Sequence, residues 1–408
     1  MLPVKSTTNL SQSTIEALEK RLTPYFADRK KYKRFNIELE DLSQEIDLSH
    51  PLAEKAIENL KMFDLSRDSL RANSIIALNS VIRSWVSFNR MFNEKSLPCD
   101  PLMTIAYYMH LDSEGKKLNT IKQHQAQISK IHKVAGLPNP NDHAEVMSFI
   151  RTLQDTMAET DDPRAIPDQA YPLRHTDLKA LSAIYSKSDK VDDIRDMAVL
   201  SLAYATMLRE EEVCELRIKR MELLDDGGIK ITRNISKTEN TDLRPKYINA
   251  SFAAPIMKYF NLRTNNDLDR LNAIGDEFFV VGLTPRSTSL RNPSTAITPK
   301  TFNKIFERAY GLLHPEFVEL KQNLSKQSVK DSVNKKELGN TYPYWTGHSA
   351  RVGCIVDAYE KRVELNLTDK DLMDMGDWRD MQMVNKYIRR FSKVANGPSA
   401  TLQDHLEF

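Results

Sequence analysis

The sequence predicts a mainly α-helical protein of two folded units, with one small β-sheet in its second half. Three observations predict it. Apolar residues recur at helical spacing through most of residues 1–160, as in Leu78, Val81, Ile82, Trp85 and Phe88. The stretch Asp161-Asp162-Pro163-Arg164-Ala165-Ile166-Pro167 interrupts that pattern and reads as a linker. Beyond it, the turn signal Asp225-Asp226-Gly227-Gly228 leads into alternating Ile229, Ile231 and Ile235, and a second extended stretch lies near Tyr247 and Ile248.

At 408 residues the chain has room for two or three domains with separate cores. A composition 40% hydrophobic and 28% charged is that of a soluble globular protein. No apolar run reaches membrane length, and Met1-Leu2-Pro3-Val4-Lys5-Ser6 has no signal-peptide core. The three cysteines, Cys99, Cys214 and Cys354, are scattered and lack zinc-ligand spacing, which points to a reducing cytoplasm. A net charge of +2 neither demands nor forbids a nucleic-acid partner, so local charge must decide.

Residues 1–66 read as a helical, charge-mixed extension. Ile15, Leu18, Leu22 and Phe26 mark one helix, Leu52, Ala56, Ile57, Leu60 and Phe63 another, and Lys30, Lys31, Lys33 and Arg34 form a solvated basic run between them. Residues 67–160 are a run of helices. In the one over 116–135, Ile121, Ile128, Ile131 and Ala135 form the buried stripe, while Lys116, Asn119, Gln123, Gln127 and Lys130 cluster opposite. No acidic residue interrupts Lys116 to Lys133. Lysines interleaved with amide side chains suit a helix in the DNA major groove, so Lys116, Lys122, Gln123 and Lys130 are candidate contacts. His124 and His132, eight residues apart, read as non-ligands.

Residues 161–172 are the linker. After it, Leu178 to Met207 is helical, and Lys237 sits near the hairpin turn. Lys300 starts a helix that turns Phe302, Ile305 and Phe306 inward and leaves Lys300 outward. Residues 318–340 read as an inserted polar surface segment. Leu402, Leu406 and Phe408 look like one face of a short terminal helix. There is no internal repeat, P-loop or Gly-rich dinucleotide loop.

The chemistry lies in the second half. His348-Ser349-Ala350-Arg351 sets a histidine and an arginine on one helix face, and the indole of Trp378 adds a third donor suited to a phosphate. Tyr387, in Asn385-Lys386-Tyr387-Ile388-Arg389-Arg390, is a candidate nucleophile for that phosphate. Upstream, Arg209 precedes Glu210-Glu211-Glu212, and Ser236-Lys237-Thr238 supplies a lysine. Each piece alone is common. Together and in this order, after the linker, they resemble the active-site signature of the tyrosine recombinase (phage integrase) family. The stretches Ala203 to Arg209, Gly347 to Gly353 and Asn385 to Arg389 carry the likeness, as do Arg83-Ser84-Trp85, Thr120 to His124 and Gly136 to Pro140. Trp378 stands where many members carry histidine.

The resemblance implies a two-domain architecture clamped around DNA. Residues 67–160 would be the core-binding DNA-binding domain, and 173–408 the catalytic domain with a terminal oligomerisation helix. It implies DNA cleavage and rejoining through a 3′-phosphotyrosine and a Holliday junction, by a homo-tetramer on two double-stranded sites with inverted repeats. Arg209 and Arg351 would clamp the phosphate, Lys237 would protonate the leaving 5′-hydroxyl, His348 and Trp378 would donate to phosphate oxygens, and Glu212 would orient the site. His348 could also assist proton transfer from Tyr387. Lys300 and Gln123 would reach base edges. Neither metal nor nucleotide cofactor is called for, no membrane is involved, and a plasmid- or phage-borne bacterial gene is implied. The alternatives are a catalytically silent DNA-binding protein and a related type IB topoisomerase or telomere resolvase.

Overall fold

The computed structural model describes residues 10–27, 39–66, 72–232, 245–284, 289–326 and 342–392. Lys237, Ile235, the basic run Lys30 to Arg34, residues 327–340 and the tail bearing Leu402, Leu406 and Phe408 lie outside the described residues. The chain divides into two compact units, Met1–Asp168 and Gln169–Phe408, with the boundary inside the stretch expected to link them.

The first unit is all helical: α1 (Gln12–Ala27), α2 (Ala53–Leu65), α3 (Ala72–Arg90), α4 (Pro101–Ser113), α5 (Leu118–Ala135) and α6 (Ala144–Glu159). α4 is buried nearly all round, from Met103 through Met109, so it forms the centre of the unit. Asp100 caps it, accepting from the amides of Leu102 (2.7 Å) and Met103 (3.1 Å), with Pro101 opening the helix where its missing N–H does no harm. Trp85, Phe88, Tyr107, Tyr108 and Phe149 fill the core beside Ile121 and Ile128 of α5. Leu18, Leu42, Ile46, Ala56 and Leu60 belong to that same core, so the residues read as an extension are integral to the unit.

The second unit carries the sheet. β1 (Met221–Leu223), β2 (Ile229–Ile231) and β3 (Lys246–Ile248) pair antiparallel in that order, with Met221 opposite Ile231 and Ile229 opposite Ile248. Ile229 and Ile231 point inward, as their alternation predicts. β1 was not legible in the sequence, because only Met221 of its three residues is buried. Around the sheet pack α7 (His175–Tyr185), α8 (Val191–Thr206), α9 (Glu210–Cys214), α10 (Ala250–Thr264), α11 (Pro299–Leu313), α12 (Pro315–Lys326), α13 (Ser349–Glu360), α14 (Asp369–Gly376) and α15 (Met381–Phe391). α8 is buried along almost its whole length and packs against α7, α10 and α13. The polar segment beginning at 318 is not all surface insertion. Its first residues complete α12, whose Phe317 and Leu324 are buried in the core. No helix of the described residues is long and apolar enough to cross a membrane.

His132 illustrates how the first unit handles buried polar groups. Its Nε2 accepts from the Cys99 amide (3.0 Å) while Nδ1 donates to the Ile128 carbonyl (2.8 Å), which fixes one neutral tautomer. His124 Nδ1 meets the Tyr107 hydroxyl at 2.8 Å. Burial pushes both rings down to about 4. The unfolded chain, with ordinary histidines near 6.5, therefore takes up protons first on acidification. Stability from these groups is complete above about pH 6.5 and falls toward pH 4, by about 1.4 kcal/mol per pH unit for each ring. Urea unfolding followed at pH 7, 6 and 5 should show that slope, and His132→Gln should lower stability at pH 7 while flattening it.

Candidate active site

The site is assembled from four segments of the second unit. α8 ends at Thr206, its C-cap Met207 turns left-handed (φ 52°), and the chain then enters α9 through Arg209. Glu212 accepts from the Arg209 amide (2.7 Å) and from its guanidinium (3.2 Å), so one carboxylate caps the helix and aims the arginine.

His348 and Arg351 flank the start of α13. Arg351 is only 2% exposed, yet no described carboxylate bridges it. Its Nη1 donates to the Met207 carbonyl and its Nη2 to the Gly376 carbonyl, and the guanidinium lies over the Trp378 ring, 4.8 Å from the centroid. The cation is thus held by main-chain dipoles and an aromatic face. Burial, then the neighbouring Arg209, lowers its proton affinity.

Trp378 reaches this place through a close approach. A Cβ on Gly376 would fall 2.4–2.5 Å from the indole ring, so only glycine allows the packing. Lys246 of β3, not singled out by the sequence, secures the same turn. Its Nζ donates to the carbonyls of Asp374 (3.1 Å) and Met375 (2.7 Å) and pairs with Asp377 (3.3 Å). A lone lysine in a short strand gives no signal of such a role.

Tyr387 projects from α15, which Val384 and Ile388 anchor to the core. Its hydroxyl lies 3.0 Å from His348 Nε2, and its ring packs at 5.2 Å from Trp378. Gln169 donates to the Tyr387 carbonyl (3.2 Å). Burial, followed by Arg351, Arg209 and Lys386, drives His348 down to about 4, so the ring is neutral at neutral pH. The structure therefore brings Arg209, Glu212, His348, Arg351, Trp378 and Tyr387 to one place, with unbalanced positive charge and a neutral imidazole at the phenol.

The candidate DNA contacts are placed variously. Lys300 is exposed in the first turn of α11, and Phe302, Ile305 and Phe306 are buried, as expected. On α5, Gln123 and Asn119 are exposed, while the half-buried Lys116 precedes the helix, which starts at Leu118 and not at 116. Lys122 donates to Gln154 (2.7 Å) and Lys130 lies over the Phe63 ring of α2 (5.6 Å). Part of the expected open face of α5 is thus covered by α2, because Ala56, Leu60 and Phe63 form the stripe that seats α2 beside it.

Residues 172–393, more than half of the chain, match the family model described as Phage integrase family. The chain belongs to the phage integrase family of site-specific tyrosine recombinases. Members of this family cleave and rejoin DNA. The chain is 25% identical to the Cre recombinase of Escherichia phage P1 over 353 residues, which are 85% of this chain and 92% of that protein. Among solved structures, XerH recombinase in a post-cleavage complex with a palindromic difH substrate superposes with a TM-score of 0.50 at 14% identity, over 91% of this chain and 99% of that one. The Tn1549 transposon integrase bound to transposon right end DNA gives 0.52 at 11% identity, over 86% and 99%. At those identities the two structures speak for the shared integrase fold. Within this integrase, Gly376→Ala should displace the indole and loosen Arg351. We expect altered fluorescence from Trp378 and a fall in DNA cleavage of tenfold or more, since a misplacement of about 1 Å costs on the order of 100-fold.

Proposed function

We propose that this recombinase cleaves DNA by attack of the Tyr387 hydroxyl on the scissile phosphate, with the residues around it in the roles their placement suits. The observation that carries the proposal is the 3.0 Å contact between His348 Nε2 and the Tyr387 hydroxyl, set beside two guanidiniums. A phenol of ordinary pKa near 10 is a poor nucleophile until its proton has somewhere to go. Neutral His348 can accept that proton. Arg209 and Arg351 would neutralise the nonbridging oxygens, and Trp378 would add a donor. Lys237 would protonate the leaving 5′-hydroxyl. The Tyr387 oxygen forms a bond to phosphorus as the bond to the 5′-oxygen breaks, leaving a 3′-phosphotyrosine. Another strand's 5′-hydroxyl reverses the step, giving a Holliday junction.

The reading extends to assembly and target. Two inverted-repeat sites would be held by a tetramer, with each protomer's units clamping the DNA and the terminal tail docking on a neighbour. Exposed Gln123 and Lys300 are the best-placed base readers, and Lys116 is a candidate phosphate contact. Lys122 and Lys130 would first have to leave Gln154 and Phe63.

A suicide half-site that traps the covalent product tests the chemistry. Tyr387→Phe should bind and form no adduct, and an adduct that persisted would place the nucleophile elsewhere. Arg209→Ala should cut cleavage far more than binding, by about 3 kcal/mol or more in the transition state. Arg351→Ala should do the same and also leave two buried carbonyls without their donor. Cleavage should survive excess chelator because the guanidiniums supply the charge, and magnesium-dependent recovery would contradict this. For specificity, Lys300→Ala should relax preference at one or two adjacent base pairs, by about 1–3 kcal/mol each. Selection from a randomised half-site library measures it. A uniform loss of affinity with a shallower salt dependence would instead mark a backbone contact.

A further inference from the structure

Asn303 lies on α11 one turn beyond Lys300, between the buried Phe302 and Ile305. Its Nδ2 donates to Glu210 Oε1 (2.6 Å) and to the Pro299 carbonyl (2.9 Å), and its Oδ1 accepts from the Gly347 amide (2.9 Å). Reversing the amide would set two acceptors against oxygen and a donor against an N–H, so its orientation is fixed by its partners. Those partners stand next to the reactive groups: Glu210 follows Arg209, and Gly347 precedes His348. The turn is packed hard against both. A Cβ on Gly347 would meet the Phe302 ring at 2.6 Å and Glu210 Oε2 at 3.1 Å.

We infer that Asn303 is a positioning residue that locks the start of α9 to the turn before α13, holding Arg209 and His348 at one spacing and orientation. Arg351 already ties α13 to Met207 on the approach to α9. A single tie is a pivot about which the two segments can rotate, and a second bridge removes that freedom. Asn303 reaches no reacting group itself. The inference rests on the roles proposed for Arg209 at the phosphate and for His348 at the Tyr387 proton.

Asn303→Asp would turn a carboxylate toward that of Glu210 and break the bridge. Adding Glu210→Gln restores a donor facing an acceptor and returns the net charge to that of the parent. Asn303→Ala removes the bridge without adding charge. Two quantities are read in each full-length variant: single-turnover cleavage of saturating suicide half-site, and the titration of the His348 ring by NMR, which burial and the neighbouring cations should hold well below the ordinary histidine value in the parent. Both single variants should keep half-site binding and melting temperature, lose cleavage tenfold to a hundredfold, about what a shift of 1 Å produces, and move the His348 titration upward. The double variant should recover most of both readouts, the remainder reflecting the Pro299 carbonyl, which keeps no side-chain donor. Parent-like cleavage and titration in Asn303→Ala would overturn the inference. So would a loss of activity that tracks melting temperature and is not recovered in the double variant. A parent that forms no adduct would sink the Tyr387 mechanism alone, since the His348 titration still decides on Asn303.

Discussion

The rest of the second unit is organised by one buried cation. Arg351 sits almost without solvent beside Arg209, and among the described residues no carboxylate is bonded to it, Glu212 and Asp377 acting only from a distance. An isolated charge in such a place is strongly unfavourable unless dipoles solvate it. Here the carbonyls of Met207 and Gly376 do so, and each lies on a different approach to the site. Satisfying one guanidinium therefore fixes the end of α8, the start of α13 and the turn that presents Trp378. Under the proposed chemistry, the mutual repulsion of the two guanidiniums is what an arriving phosphate would relieve.

Three of the described histidines are pushed down to about 4, and the resemblance between them is superficial. His132 has both ring nitrogens spoken for by main chain, and His124 faces a buried tyrosine. Their shifts record burial in a helical core. At His348 burial is joined by three cations, and the ring faces a half-buried phenol. A phenol within hydrogen-bond reach is common to His124 and His348. What sets His348 apart is that three cations and a half-buried rather than buried hydroxyl surround it, which makes it the candidate functional group of the three.

The residues gathered at the candidate site were legible in the sequence because donors suited to a phosphate, arginine, histidine and tryptophan among them, each leave a letter. The helix faces of α3, α5 and α11 were legible because burial imposes a period. What escaped was held by long-range or main-chain contact. Lys246 gripping the turn before Trp378, and α2 lying over Lys130, involve residues far apart in sequence with no pattern between them. β1 is too short for an alternation to register, and α12 hides two core residues in a polar run. Lys237, proposed as the general acid, lies outside the described residues and keeps only its sequence warrant.

The anchoring of Arg351 by carbonyls bears on how this site can drift through generations. Every amino acid brings a carbonyl, so position 207 can exchange its side chain within the limits of the apolar core and of its left-handed backbone without releasing the arginine. No compensating substitution need accompany such a change, and comparison of descendants would reveal no paired variation between 207 and 351. Position 376 is the exception, confined to glycine by the ring against it. The clamp is inherited as a shape of the main chain rather than as a pair of matched side chains.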